Sequence, residues 1–166
     1  MRRAAILFLL AIGLPLGAAG CGFTPMYAEP AAGSGLRRIA VSTPDNRLGY
    51  RLREQLEDAL GFDRASPPLY WLETSVEQER RALGRRIDDT ASRYELTVRA
   101  VWVLTPLDGR PALNGDETVT TTYEAADQPY AAIAAQQDGE ERAAAELSRM
   151  IRLDLAQALN SGSAGR

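Results

Sequence analysis

The chain is 166 residues long, sets 19 basic against 22 acidic side chains for a net charge of −3, and contains no histidine and one cysteine. That length is the size of one domain, and the acidic balance excludes the basic surface that nucleic-acid binding requires. The lack of histidine, with a single thiol, removes the usual nucleophile–base pairs and nearly all zinc sites, so neither a metal nor a cofactor is expected.

The chain opens with a short basic start, Met1–Arg3, an apolar stretch from Ala4 to Leu16, and the small residues Gly17–Gly20. This is the three-part pattern of a secretory signal, too short to span a bilayer. By itself Cys21 could be a buried thiol, a nucleophile or half of a disulfide. Its setting in "AAGC" resembles the lipobox of bacterial lipoproteins, with Ala18 where leucine is usual. In such proteins the thiol carries S-diacylglycerol, the signal is cut before the cysteine, and the new amino group is acylated, typically with palmitate. Residues 1–20 are therefore expected to be a signal peptide and Cys21 a lipid tether. Several acyl chains make a lasting anchor where one is marginal.

Residues 21–35 are rich in Ala, Pro, Gly and Ser and read as a flexible linker. A single domain is expected over 36–160, with 161–166 as a disordered tail. In "LRRIAVST" Ile39 and Val41 alternate with Arg38 and Ala40, which predicts a first strand. Next come Leu48, Leu52, Leu56, Ala59 and Leu60 at helical spacing, with Asp45 or Asn46 to cap and Gly61 to stop.

Three strands are predicted to follow. Tyr70, Leu72, Thr74 and Val76 alternate with Trp71, Glu73, Ser75 and Glu77. Tyr94, Leu96, Val98, Ala100, Trp102 and Leu104 alternate with Glu95, Thr97 and Arg99. The Asp-Gly pair in "PLDGRP" marks a tight reversal, and the β-branched run "DETVTTTYEA" continues the meander. The alanine-rich segment Tyr130–Asn160 reads as helix, one kinked or two, because Asp138 and Gly139 interrupt it. The order β-α-β-β-β-α predicts an α+β two-layer sandwich: a four-stranded mixed sheet with both helices on one face and the first two strands parallel.

Candidate chemistry is sparse. Asp88 and Asp89 in "RRIDDTASR" are adjacent carboxylates on a predicted hairpin loop, a pattern typical of turn formers and arginine partners. A periplasmic hydrolase acting through them is the only enzymatic reading left, and the chain is read as not an enzyme. Arg80, Arg81, Arg85, Arg86 and Arg93 gather at one end of the second and third strands. That cluster is either a solvated loop paired to nearby acids or an anion-binding end built from guanidinium forks.

Taken together, "CGFTPMY", "IAVSTPDNRLGYRLREQLEDAL", "YELTVRAVWVL" and "TTTYEAADQPYAAIAAQQDGEERAAAELSRMIRLDLAQAL" resemble the LptE family of lipopolysaccharide (LPS) assembly lipoproteins, in its alphaproteobacterial form. The resemblance rests on Cys21, Gly22, Phe23, Pro25 and Tyr27, on Gly49 and Leu52 to Leu60, and on Tyr130 with the tail. It implies a periplasm-facing lipoprotein of the outer membrane that plugs the LptD β-barrel, assists its assembly and helps deliver lipopolysaccharide to the cell surface. Under that resemblance Arg81, Arg85 and Arg86 become candidate lipopolysaccharide contacts. Gly22 in place of Asp also avoids the inner-membrane retention signal of enterobacteria. The alternative is an auxiliary lipoprotein of an ABC-type envelope lipid transport system, with the same anchor and other partners.

Overall fold

A computed structural model of the chain describes residues 35–85 and 91–164. Within them run β1 (Ile39–Ser42), α1 (Arg47–Leu60), β2 (Tyr70–Arg85), β3 (Ala91–Pro106), β4 (Leu113–Glu124) and α2 (Pro129–Ala164). The strands form one sheet in the order β1-β2-β3-β4. β1 runs parallel to β2, Ile39 opposite Tyr70, and the other pairs are antiparallel, with Val76 opposite Ala100 and Val98 opposite Val119. The parallel pair follows from the helical crossover between β1 and β2, since a short turn can only reverse the chain. This is the expected α+β sandwich.

Local chemistry fixes both ends of α1. Asn46 is extended, and its side chain accepts the Gly49 N–H at 2.8 Å. At the other end Gly61 takes φ 63°, which glycine adopts without a Cβ penalty, and the Gly61 and Phe62 N–H groups donate to the Asp58 and Glu57 carbonyls. The buried stripe is Leu48, Leu52, Leu56 and Leu60. Gly49 is required sterically, because a Cβ there would lie 2.2 Å from the Pro44 carbonyl oxygen.

Period-two alternation then divides the sheet into two faces. Tyr70, Leu72, Leu96, Val98, Ala100, Trp102, Leu104 and Val119 are buried beneath the helices. They meet Leu52 and Leu56 of α1 and Leu147, Ile151 and Leu155 of α2 in one core. Each leucine, isoleucine or valine among them stabilises the fold by about 1.5–3 kcal/mol relative to leaving it in water. Thr74, also buried, turns its hydroxyl to the Ser42 carbonyl at 3.3 Å and so ties β2 to β1.

α2 is one continuous helix through Asp138 and Gly139 and runs on past Asn160 to Ala164. Glycine inside a helix costs about 1 kcal/mol against alanine, and packing supplies the reason to keep it. A Cβ on Gly139 would come within 3.0 Å of Tyr123 Cδ1. The Thr121 hydroxyl donates to the Gly139 carbonyl at 3.3 Å, and Arg142 pairs with Asp138 while donating to the Thr122 carbonyl at 3.1 Å. The residues that read as an interruption are where hydrogen bonds tie the helix to β4. The next residue, Glu140, is 5% exposed, accepts from Gln136 at 2.9 Å and pairs with Arg47 Nε at 3.3 Å, joining the start of α1 to α2.

Candidate functional site

The sequence gathered five arginines at one end of β2 and β3, and strand parity separates them. Even-numbered residues of β2 face the helices, so Arg80 turns inward: its guanidinium lies 4.9 Å from the Tyr94 ring centroid and donates to Gln136 of α2 at 3.3 Å. Arg81 faces the opposite way and pairs with Glu95 across the strands at 2.8 Å. Arg93 pairs with Glu124 of β4 at 2.5 Å. Arg85 closes β2, its backbone opposite Ala91. Arg86, Asp88 and Asp89 lie outside the described residues, as does Cys21.

Of the candidate trio, then, Arg81 is already engaged by a carboxylate on a solvent-exposed surface. Such a pair is weak, of order 0–1 kcal/mol, and opens at little cost to a stronger anion. Of the three, only the Arg81 guanidinium is placed, and its charge is balanced by Glu95.

Beside this end lies a cleft of about 400 Å³ bounded by Arg80, Tyr94, Tyr123, Ile133 and Gln136. The two tyrosine rings are 5.5 Å apart, and Ile133 is 54% exposed. One wall is therefore aromatic and apolar and another carries a cation over a ring. This cleft escaped the reading by composition, although the alternation of β2 already places Arg80 on the same face as Tyr94.

The sheet face away from the helices is covered by no element among the described residues. Its far portion is held by cross-strand polar pairs: Arg81 with Glu95, Arg93 with Glu124, Arg99 with Asp116 at 3.0 Å, and the Thr97 and Thr120 hydroxyls at 3.3 Å. On the covered face, by contrast, Glu117 of β4 faces Asp154 of α2. Burial pushes the Glu117 carboxyl up to about 7, helped by its hydrogen bond to Asp154 and by the charges of Asp154 and Asp116. The Glu117 carboxyl so held keeps its proton in the contact between β4 and α2.

No cluster of three or more metal-ligating side chains occurs among the described residues, and none of their helices is long and apolar enough to cross a membrane.

The family described as "LptE: Lipopolysaccharide-assembly" matches residues 36–155. A chain classed as a lipoprotein from Caulobacter crescentus CB15, solved by crystallography, is 48% identical, with 79% of this chain and 96% of that chain aligned and a TM-score of 0.68. Two more distant structures share the fold. A minor lipoprotein from Acinetobacter baumannii is 11% identical over 74% of this chain and 92% of its own, at a TM-score of 0.52. Uncharacterized lipoprotein B from Nitrosomonas europaea is 17% identical over 78% and 86%, also at 0.52. No curated protein sequence matches the chain.

Proposed function

The chain belongs to the LptE family of lipopolysaccharide-assembly proteins, and on that premise we propose that it is an outer-membrane lipoprotein, lipidated on Cys21, that partners and plugs the LptD β-barrel during lipopolysaccharide export. It acts by binding and has no catalytic role. The observation that carries this reading is the uncovered sheet face. Its middle carries cross-strand polar pairs, Arg99 with Asp116 and the Thr97 and Thr120 hydroxyls, beside the exposed carboxylates Glu73, Glu77 and Glu79, so it offers hydrogen-bonding and charged groups to another polar surface. The interior of a wide outer-membrane barrel is such a surface.

The test is affinity purification from detergent-solubilised outer membranes, with a photo-crosslinking residue at Thr97 or Thr120. The barrel should co-purify and crosslink from both positions. Recovery of inner-membrane transport components in its place would return the ABC-type auxiliary reading. Cys21→Ser should abolish incorporation of labelled palmitate, and equal labelling of variant and wild type would end the anchor assignment.

Within this function the arginine-rich end is the lipopolysaccharide contact. Replacing Arg81, Arg85 and Arg86 together with Glu should preserve the circular dichroism spectrum and the barrel complex while weakening binding to purified lipopolysaccharide. Unchanged binding would remove these residues from the site, and loss of the barrel complex would move them to the protein interface.

A further inference from the structure

We propose that the end of the sheet nearest Gly35 is a membrane-contacting tip, with Leu69, Trp71 and Leu107 seated among the lipid headgroups of the leaflet that holds the anchor. The inference rests on the lipidation of Cys21 and adds what that lipidation leaves open, the orientation of the domain on the bilayer.

The first observation is where the chain enters the fold. The Gly35 carbonyl accepts the Arg38 N–H at 3.1 Å, the Arg38 carbonyl accepts the Leu69 N–H at 2.9 Å, and the Leu69 carbonyl accepts the Leu107 N–H at 2.9 Å. Three backbone hydrogen bonds thus lead from the point of entry to both leucines. Trp71 lies two residues along from Leu69, opposite Ala40 of β1 and Thr105 of β3.

The second observation is exposure. Leu69 is 42%, Trp71 45% and Leu107 58% exposed, side by side at one end of the molecule. Single exposed hydrophobics are ordinary, whereas a contiguous group marks a surface with a partner. At the opposite end of the same face the positions are taken by Arg81, Glu95, Arg93 and Glu124, all in ion pairs. The sheet is graded along its length from apolar to charged.

The third is reach. Residues 21–34 precede Gly35 in the chain, and at about 3.3–3.6 Å per residue they reach at most roughly 50 Å, so until the barrel is engaged lipidation leaves the orientation of the domain open within that distance of the bilayer. An apolar tip narrows that freedom. Tryptophan and leucine at headgroup depth supply attraction that a charged end lacks. β2 and β3 are 16 residues each, about 50 Å at 3.3 Å per residue, and they then carry the arginine-rich hairpin away from the anchoring leaflet.

The test uses the two tryptophans of the chain, since Trp102 is 3% exposed and serves as an internal reference. Protein purified from membranes is reconstituted into phosphatidylethanolamine–phosphatidylglycerol vesicles with bromine at chosen depths along the acyl chains. Emission should fall, most with shallow bromines, and the fall should disappear in Trp71→Phe. In Leu69→Glu/Leu107→Glu it should shrink, with the melting temperature unchanged. Unquenched Trp71 on protein that floats with the vesicles would overturn the proposal and give the patch to a protein partner, and quenching that survives Trp71→Phe would overturn it as well. The intact mass reports separately whether Cys21 bears lipid. Should it bear none, the same reading is made with the Cys21 thiol coupled to maleimide lipid, and quenching or its absence decides as before.

Discussion

The covered and open faces of this sheet are built from alternate residues of the same strands, yet they are stabilised in different ways. Beneath the helices, Leu72, Val98 and Leu104 are wholly buried and the ring of Trp102 lies against Gly115 so closely that a Cβ there would sit 2.5 Å from Cζ2. On the open side, neighbours one position away are joined by exposed ion pairs and hydroxyl contacts. The covered face therefore responds to changes in volume and the open face to changes in charge.

The strongest way to break the comparison is Trp102→Ala, which should cost about 3–5 kcal/mol through lost burial and the cavity left behind. Urea unfolding measures it, and a loss under 1 kcal/mol would mean that the two faces pack alike. Gly115→Ala adds one methyl at the same contact and should cost about 1–3 kcal/mol, because the ring cannot retreat without leaving its well. The equivalent addition on the open side, Ser75→Thr, should be near neutral in the same assay.

This division was legible in the sequence because period two survives through β2 and β3 with few exceptions. α1 was legible too, with Gly61 as its stop and the cap narrowed to Asp45 or Asn46, of which the structure uses Asn46, since both termini are closed by local side-chain and backbone chemistry. The continuity of α2 was not. Asp138-Gly139 reads locally as a kink or a break, and only the approach of Tyr123 from β4, 3.0 Å from where a Cβ would stand, shows how little room a side chain has there. The arginine-rich end was legible as a cluster in composition but not as geometry. Adjacent residues on a strand point apart, which sends Arg80 to Tyr94 and Arg81 to Glu95. The tip formed by Leu69 and Leu107 escaped notice because they are 38 positions apart and meet through a backbone hydrogen bond.

Glu117 sharpens the comparison from the other side, as an acid on the face where charge is out of place. Its carboxyl stands at about 7 against an ordinary 4.5, raised by burial and then by Asp154 and Asp116. The native state thus holds a proton that the unfolded chain releases at lower pH. Stability contributed by this group is complete below pH 4.5, falls as pH rises toward 7, and is gone above that. Glu117→Gln keeps a donor for Asp154 and abolishes the titration, so the variant should match wild type near pH 4 and melt at a higher temperature at pH 8. Melting curves across that range check it, and a wild-type–variant difference independent of pH would mean that Glu117 does not hold its proton in the helix–strand contact.

The smallest expected effect lies on the open face, in the pair Arg99 and Asp116. Arg99 stands directly opposite Thr118, so its reach to Asp116 is diagonal across β3 and β4. Both side chains are about half exposed, at 52% and 53%, so water competes for the charges and the two long rotamers lose freedom in pairing. A double-mutant cycle through Arg99→Ala and Asp116→Ala should give a coupling of about 0.2–1 kcal/mol in the isolated protein. Raising the salt to 1 M, where the screening length shrinks to about 3 Å, should reduce that coupling further. Repeated on the barrel complex, the cycle should give a larger, salt-resistant coupling, because a surface that closes over the pair removes the water that weakened it. Equal coupling in the free protein and in the proposed complex would mean that this face stays wet there, and would count against it as the barrel-facing surface.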